Sequence, residues 1–138
     1  MSRLVFFDTN VLLYCDDLAA PGKRARALEL VDEHLRTRTL AISLQVLQEY
    51  FAAATRKLRL SAGEAQRKVE LLSQAHVVRF APADVISAIE LHRLHAISFW
   101  DALIVHAARL SGAKLLLSED LQTGASLAGV RLNNPFLS

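Results

Sequence analysis

Leu4-Val5-Phe6-Phe7-Asp8-Thr9-Asn10-Val11-Leu12-Leu13-Tyr14 is the stretch whose reading decides the fold. Leu4–Phe7 is apolar and β-prone, the pattern of a short buried strand. Asp8 and Asn10 follow at once, and Val11–Tyr14 then reads as a short helix. Asp is a good helix N-cap, so an ordinary structural role is open to Asp8 beside any chemical one. A buried strand that runs straight into polar residues and a helix is the start of an alternating α/β chain.

The alternation continues outward. Pro21-Gly22 punctuates, and Lys23–Arg36 is helical. Leu40–Ser43 is a second strand. A helix follows from Leu44 to about Leu58, with Leu44, Leu47, Phe51, Ala54 and Leu58 on one stripe. Ser61 and Glu64 have the spacing of a capping box. Val77–Phe80 is a third strand, and Pro82 opens a helix that runs to His95. Ser98 caps a helix through Leu110 that Gly112 ends. Lys114–Leu117 is a fourth strand and Val130–Leu132 a fifth. Strands alternating with helices predict an α/β fold, a three-layer α/β/α sandwich with a central parallel sheet. No repeat, linker or low-complexity stretch divides the 138 residues, so residues 1–138 are read as one domain.

Composition narrows the class. At 52% hydrophobic and 22% charged residues the chain is an ordered globular protein. Its single cysteine, Cys15, excludes a disulfide framework and fits a reducing compartment. The apolar runs at Ala102–Val105 and Leu115–Leu117 are far shorter than the roughly 18 residues that span a membrane. Asp8 and Asn10 break the brief signal-like start. The expectation is a cytoplasmic protein. The net charge of +2 is too weak to argue nucleic-acid binding by itself.

Four acids are hard to explain as solvent-facing decoration: Asp8, Glu49, Asp101 and Asp120. In open α/β sheets ligands bind beyond the carboxyl ends of the strands. Asp8 lies just past the first strand and Asp120 just past the fourth, so topology links these two. Asp101 has an ordinary reading, since Ser98-Phe99-Trp100-Asp101 fits a capping box with Asp for Glu. That role does not exclude metal ligation by the same side chain. Glu49 falls opposite the Leu44–Leu47–Phe51–Ala54 stripe, which is the position of a solvated helix residue. Asn10 and Ser118 are either local turn and cap residues or supports of the acids. Glu119 is either a fifth acid or a surface charge. His92 and His95 read as a solvated pair, and His106 as a core or interface residue.

The four segments in order resemble a known family. Phe7-Asp8-Thr9-Asn10, Gln48-Glu49-Tyr50, Phe99-Trp100-Asp101-Ala102 and Ser118-Glu119-Asp120, with the closing Asn133-Asn134-Pro135-Phe136, look like a PIN-domain ribonuclease of the VapC type. Such proteins are toxins of bacterial toxin–antitoxin pairs. The resemblance runs nearly end to end. It implies Asp8, Glu49, Asp101 and Asp120 as a catalytic, metal-binding set, with Asn10 and Ser118 in support. It implies one or two Mg²⁺ or Mn²⁺ ions, an RNA substrate, a small antitoxin partner and a homodimer. Hydrolysis by analogy leaves a 5′-phosphate and a 3′-hydroxyl.

Electrostatics agrees with that implication. Two charges about 4 Å apart in a partly buried site interact at about 4 kcal/mol with an effective dielectric near 20. Four gathered carboxylates therefore call for a cation, and Mg²⁺ and Mn²⁺ prefer oxygen ligands. RNA must approach in spite of the acids. The basic clusters that could assist are Lys23-Arg24-x-Arg26, Arg36-x-Arg38, Arg56-Lys57-x-Arg59 and Arg67-Lys68. Arg56, two turns from Glu49 on the same face, is the best placed. Two other classes compete. A receiver-like phosphoacceptor needs an Asp after its third strand, which Phe80-Ala81-Pro82 does not supply. A non-catalytic RNA- or antitoxin-binding PIN-like module is opposed by the intact acidic set.

Overall fold

The computed structural model describes residues 3–137. Its strands are β1 (Val5–Phe7), β2 (Leu40–Ser43), β3 (His76–Val78), β4 (Leu115–Leu117), β5 (Ser126–Leu127) and β6 (Val130–Asn133). Its helices are α1 (Thr9–Tyr14), α2 (Pro21–Arg36), α3 (Leu44–Arg56), α4 (Ala62–Leu72), α5 (Pro82–His95) and α6 (Phe99–Ser111). The strands form one sheet in the order β3-β2-β1-β4-β6-β5. Every pairing is parallel except β5 with β6.

Strand order fixes the layers. The chain steps outward from β1 to β2 to β3, then returns to place β4 on the other side of β1. Crossovers between parallel strands are right-handed, so reversing direction moves the connecting helices to the opposite face. α1–α4 thus cover one face and α5–α6 the other. The core lies between. Phe6, Phe7, Ile42 and Leu116 are fully buried in the sheet, and Ala102 through Ala108 of α6 are buried against it. The direction of winding reverses between β1 and β4, which leaves a crevice beyond their carboxyl ends.

Local chemistry explains most element ends. Asp8 caps α1, Ser43 caps α3 and Ser98 caps α6 through side-chain bonds to backbone N–H groups. Ser61 and Glu64 complete a two-way capping box on α4. The missing N–H of Pro21 costs nothing at the first position of α2. Gly112 ends α6 at φ 87°, where a side chain would be strained.

Three expectations shift. The third strand is His76–Val78 and not Val77–Phe80. Its pairing with β2 ends at Ser43↔Val78, and Phe80 turns to pack edge-on against His106 at 5.3 Å. The buried face of α3 is Val46, Leu47, Tyr50 and Ala54, whereas Leu44 and Phe51 are exposed. The core stripe is therefore rotated by about 60°, at 100° per residue, from the one read in the sequence. The sheet is also not wholly parallel. Val130 opens a strand as expected, but it folds back on Ser126–Leu127 in a hairpin that the sequence reading lacked. Among the described residues, no helix is long and apolar enough to cross a membrane.

Candidate active site

The crevice above β1 and β4 is a cavity of about 400 Å³. Asp8, Asn10, Glu49, Asp101 and Asp120 all line it, with Thr9, Gln45, Arg56, Lys57 and Trp100. Four segments supply the acids. Asp8 follows β1, where its N–H donates to Leu117 O at 2.9 Å and extends the β1–β4 ladder by one residue. Asp120 follows β4. Glu49 comes from the second turn of α3, and Asp101 from the first turn of α6. A cavity of similar volume, about 380 Å³, lies by Leu40 and His76 at the opposite strand ends. Among the described residues no carboxylate lines it, so chemistry and not size distinguishes the crevice.

Each acid is held differently. Asp8 is buried: its Oδ1 accepts from Thr9 N at 2.7 Å, and its Oδ2 from Ser118 Oγ at 2.7 Å. Burial pushes its carboxyl up to about 6. The Ser118 and Thr9 bonds oppose that rise, and the charges of Asp120 and Glu49 add to it. Glu49 Oε1 accepts from Thr9 Oγ1 at 2.8 Å, and its Oε2 accepts from Gln45 Nε2 at 3.3 Å. Asp120 Oδ2 accepts from Asn10 Nδ2 at 2.9 Å. Asp101 N donates to Ser98 Oγ at 3.0 Å, which is half of the capping box read in the sequence. Among the described residues, no hydrogen bond engages the Asp101 carboxylate itself.

Asn10 and Ser118 tie the acids together. Besides holding Asp120, Asn10 accepts at Oδ1 from Glu119 N at 3.3 Å. Ser118 Oγ donates to Asp8 and accepts from Asp120 N at 3.2 Å. Two short side chains thus fix the loop after β4 to the start of α1. Glu119 does not line the crevice. It turns aside to accept from Tyr14 Oη at 2.6 Å and to pair with Lys23, whose ammonium lies 4.9 Å from the Tyr14 ring centre. These two partners hold the Glu119 carboxyl below its usual range in spite of its partial burial.

The donor set fits a hard divalent cation. Four carboxylates line the crevice, with no imidazole or thiol among the described residues. Among the described residues, none of the four pairs with a basic side chain, whereas Asp16, Glu29 and Glu119 all do. The carboxylates stand apart as they are: among the described residues, no three His, Cys, Asp or Glu are gathered closely enough to hold an ion.

A family model described as the PIN domain matches residues 5–123. The chain belongs to the PIN domain family. Solved structures carry the same fold. A toxin–antitoxin complex from Klebsiella pneumoniae matches with TM-score 0.68 at 22% identity, over 95% of this chain and 97% of that one. VapC20 of Mycobacterium tuberculosis, a sarcin–ricin-loop-cleaving toxin, matches with TM-score 0.70 at 21% identity, over 92% and 98%. VapBC2 of Rickettsia felis, bound to a promoter DNA fragment, matches with TM-score 0.68 at 19% identity, over 95% and 98%. No curated protein matches the sequence. In this PIN fold all four acids read from the sequence line the crevice at the β1–β4 reversal.

Other residues end up where the sequence did not put them. Thr9 and Gln45, the two donors to Glu49, were not singled out. The rotated core stripe of α3 points to Gln45, because it leaves Gln45, Glu49, Ala53 and Arg56 on one flank, whereas no sequence signal pairs Thr9 of α1 with Glu49. Arg56 does line the crevice, and Lys57 joins it. The other basic clusters are largely engaged elsewhere. Arg26 pairs with Glu29, Lys68 with Asp16, and Arg24 donates to Cys15 O. His106 is a satisfied core residue. Its Nε2 lies 2.9 Å from Asp84 Oδ1 and its Nδ1 2.7 Å from Arg109 Nη2, which together require the neutral Nε2–H tautomer. His92 and His95 are exposed.

Proposed function

We propose that the chain is a divalent-metal-dependent endoribonuclease, the cytoplasmic toxin of a VapC-type toxin–antitoxin pair. One observation carries the reading. Carboxylates from four segments line one crevice at the topological switch point, and among the described residues none is paired with a basic side chain.

Asp8, Glu49, Asp101 and Asp120 would hold one or two Mg²⁺ or Mn²⁺ ions. When bound, such an ion supplies Lewis acidity at the scissile phosphate and charge compensation for the departing oxygen. The chain's own residues do the rest. Ser118 and the Thr9 N–H fix the Asp8 carboxylate, Thr9 and Gln45 fix Glu49, and Asn10 fixes Asp120. Carboxylates that ligate metal are commonly hydrogen-bonded in this way, which orients them without consuming their remaining lone pairs. Asp101 keeps both carboxylate oxygens free to orient water or take a proton from it. Arg56 and Lys57 offer positive charge to the phosphates that flank the scissile one.

The likeness to toxin–antitoxin complexes supports a small antitoxin as partner. A homodimer is part of the same reading. A second reading is a non-catalytic RNA- or antitoxin-binding module, favoured by the separation of the carboxylates. One experiment divides the two. Purified wild type is expected to cleave RNA in Mn²⁺ and not in a chelator. Asp8→Asn is expected to lose cleavage while keeping its circular dichroism spectrum. Mn²⁺ is expected to raise the melting temperature of wild type but not of the double variant Asp8→Asn/Asp101→Asn. Equal Mn²⁺ shifts in both proteins would falsify the shared metal site. Undiminished cleavage by Asp8→Asn would remove Asp8 from the mechanism.

A further inference from the structure

Trp100 is the most exposed aromatic side chain among the described residues, with 63% of its surface in water. It is also the residue before Asp101, in the first turn of α6, and it lines the crevice that holds the four acids. Among the described residues its one ring contact is edge-on with Phe99, at 5.4 Å between centroids and 63° between planes. That contact braces the indole from one side. Single exposed apolar side chains are common on protein surfaces, but this one is an indole on the wall of a polar cleft, where a ligand that enters the cleft can cover it.

The crevice indicates what covers it. Opposite α6, the α3 wall ends in Arg56 and Lys57, and among the described residues neither is ion-paired. Along α3, Glu49 and Arg56 are seven positions apart, which is about 10 Å at 1.5 Å per residue. Acids that need a cation, positive charge about 10 Å away and an open indole face therefore line one cavity. A polynucleotide strand presents matching chemistry: phosphates at intervals, with flat aromatic bases between them. An apolar protein segment on Trp100 would leave Arg56 and Lys57 without counterions and place nothing over the carboxylates.

We infer that Trp100 is a base-stacking platform that seats an unpaired RNA nucleotide next to the scissile phosphate. This rests on the nuclease reading above and deepens it. Within a duplex both faces of each base are covered by neighbouring bases, so away from the ends only a splayed, unpaired base can offer a face to the indole. Such stacking tolerates any base, because every base has a π-face. Trp100 then acts through binding and not through the chemical step. It selects strands that are locally unpaired, and it leaves base identity to other contacts.

Trp100 is the only tryptophan in the chain, so intrinsic fluorescence reports on this residue alone. In the Asp8→Asn protein with Mg²⁺, a short unstructured oligoribonucleotide is expected to quench Trp100 emission saturably. A blunt duplex of the same sequence is expected to leave it unchanged. In cleavage assays on the otherwise wild-type protein, Trp100→Ala is expected to raise KM by about 5-fold to 150-fold with kcat nearly unchanged, and Trp100→Phe to recover most of the loss. An unchanged KM in Trp100→Ala, emission unmoved by the single strand, or equal quenching by the duplex overturns the proposal. If wild type cleaves no RNA but the single strand still quenches, the nuclease reading fails and the platform stands. If cleavage is normal and Trp100→Ala is silent, the platform alone fails.

Discussion

Thr9 Oγ1 donates a 2.8 Å hydrogen bond to Glu49 Oε1, and so ties the first turn of α1 to the second turn of α3. Glu49 is the one acid of the crevice that comes from the middle of a helix, so no backbone turn sets its direction. Thr9 and Gln45 set it instead. Thr9→Val keeps the shape and removes the donor. Losing a partner that orients a ligating group typically costs about 10-fold to 100-fold. RNA cleavage by Thr9→Val is expected to fall within that range, with stability lowered by only about 1 kcal/mol. Thr9→Ser, which restores the hydroxyl, is expected to recover activity. Thr9→Val cleaving as fast as wild type would show that Glu49 needs no such guide.

Asp8 makes the metal-free protein sensitive to pH. Its folded carboxyl titrates at about 6, above the ordinary value of 3.8. Between those two values the folded state holds a proton that the unfolded state has released. Stability from this site is therefore greatest at low pH, is lost as pH rises from about 4 to 6, and is flat above that. The gap corresponds to roughly 3 kcal/mol. Asp84 and Glu119, whose carboxyls are held low, pull the other way as pH falls. The informative quantity is thus the difference between wild type and Asp8→Asn in chelator, measured by denaturant unfolding across this range. Asp8→Asn is expected to gain on wild type as pH rises from 4 to 7. Parallel stability curves for the two proteins would contradict a destabilising charge at Asp8.

Much of the site was legible in the sequence, and what was not had a physical cause. Asp8 follows the apolar β1 directly and Asp120 lies three residues past the apolar β4, so strand topology alone places them at the same sheet end. Asp101 was legible by its motif, although capping offered it another role; the structure forms only the Ser98 half of that capping box and leaves the Asp101 carboxylate lining the crevice. Periodicity alone put Glu49 on a solvated face and only the family motif brought it into the set, because Leu44 and Phe51, both apolar, are exposed and pull the inferred stripe of α3 away from its true centre. Large apolar residues at a surface defeat periodicity, since the pattern cannot tell burial from exposure. Thr9 and Gln45 were missed for a related reason. Their role depends on which way Glu49 points, and that is a tertiary fact.

Cys15 is closed to chemistry in the folded protein. It is 1% exposed, and burial pushes its thiol up to about 11. The thiolate is the reactive form, and at pH 8 it is about a hundredfold scarcer than in an ordinary cysteine. Iodoacetamide at pH 8 is expected to leave native protein unmodified over hours and to label it fully in denaturant, as read by intact mass. Labelling in the native state at the denatured rate would mean that the α1 region opens readily.

The hairpin between Leu127 and Val130 turns on two residues, Ala128 at φ 52° and Gly129 at φ 80°. Two-residue loops with both φ angles positive are the favoured hairpin connection, and Asn-Gly is their usual sequence. Ala128 stands where Asn is expected, which is why the turn escaped the sequence reading. It is also why the turn can be improved. A Cβ in the left-handed region costs about 1–2 kcal/mol, and Asn bears that conformation better than Ala does. Ala128→Asn is expected to stabilise the protein by about 0.5–1 kcal/mol, seen as a higher denaturant midpoint at unchanged slope. The substitution lies at the edge of the sheet, remote from the acids, so RNA cleavage is expected to be unaltered. A lower midpoint would mean that the Ala128 methyl packs against the core more tightly than its backbone strain costs.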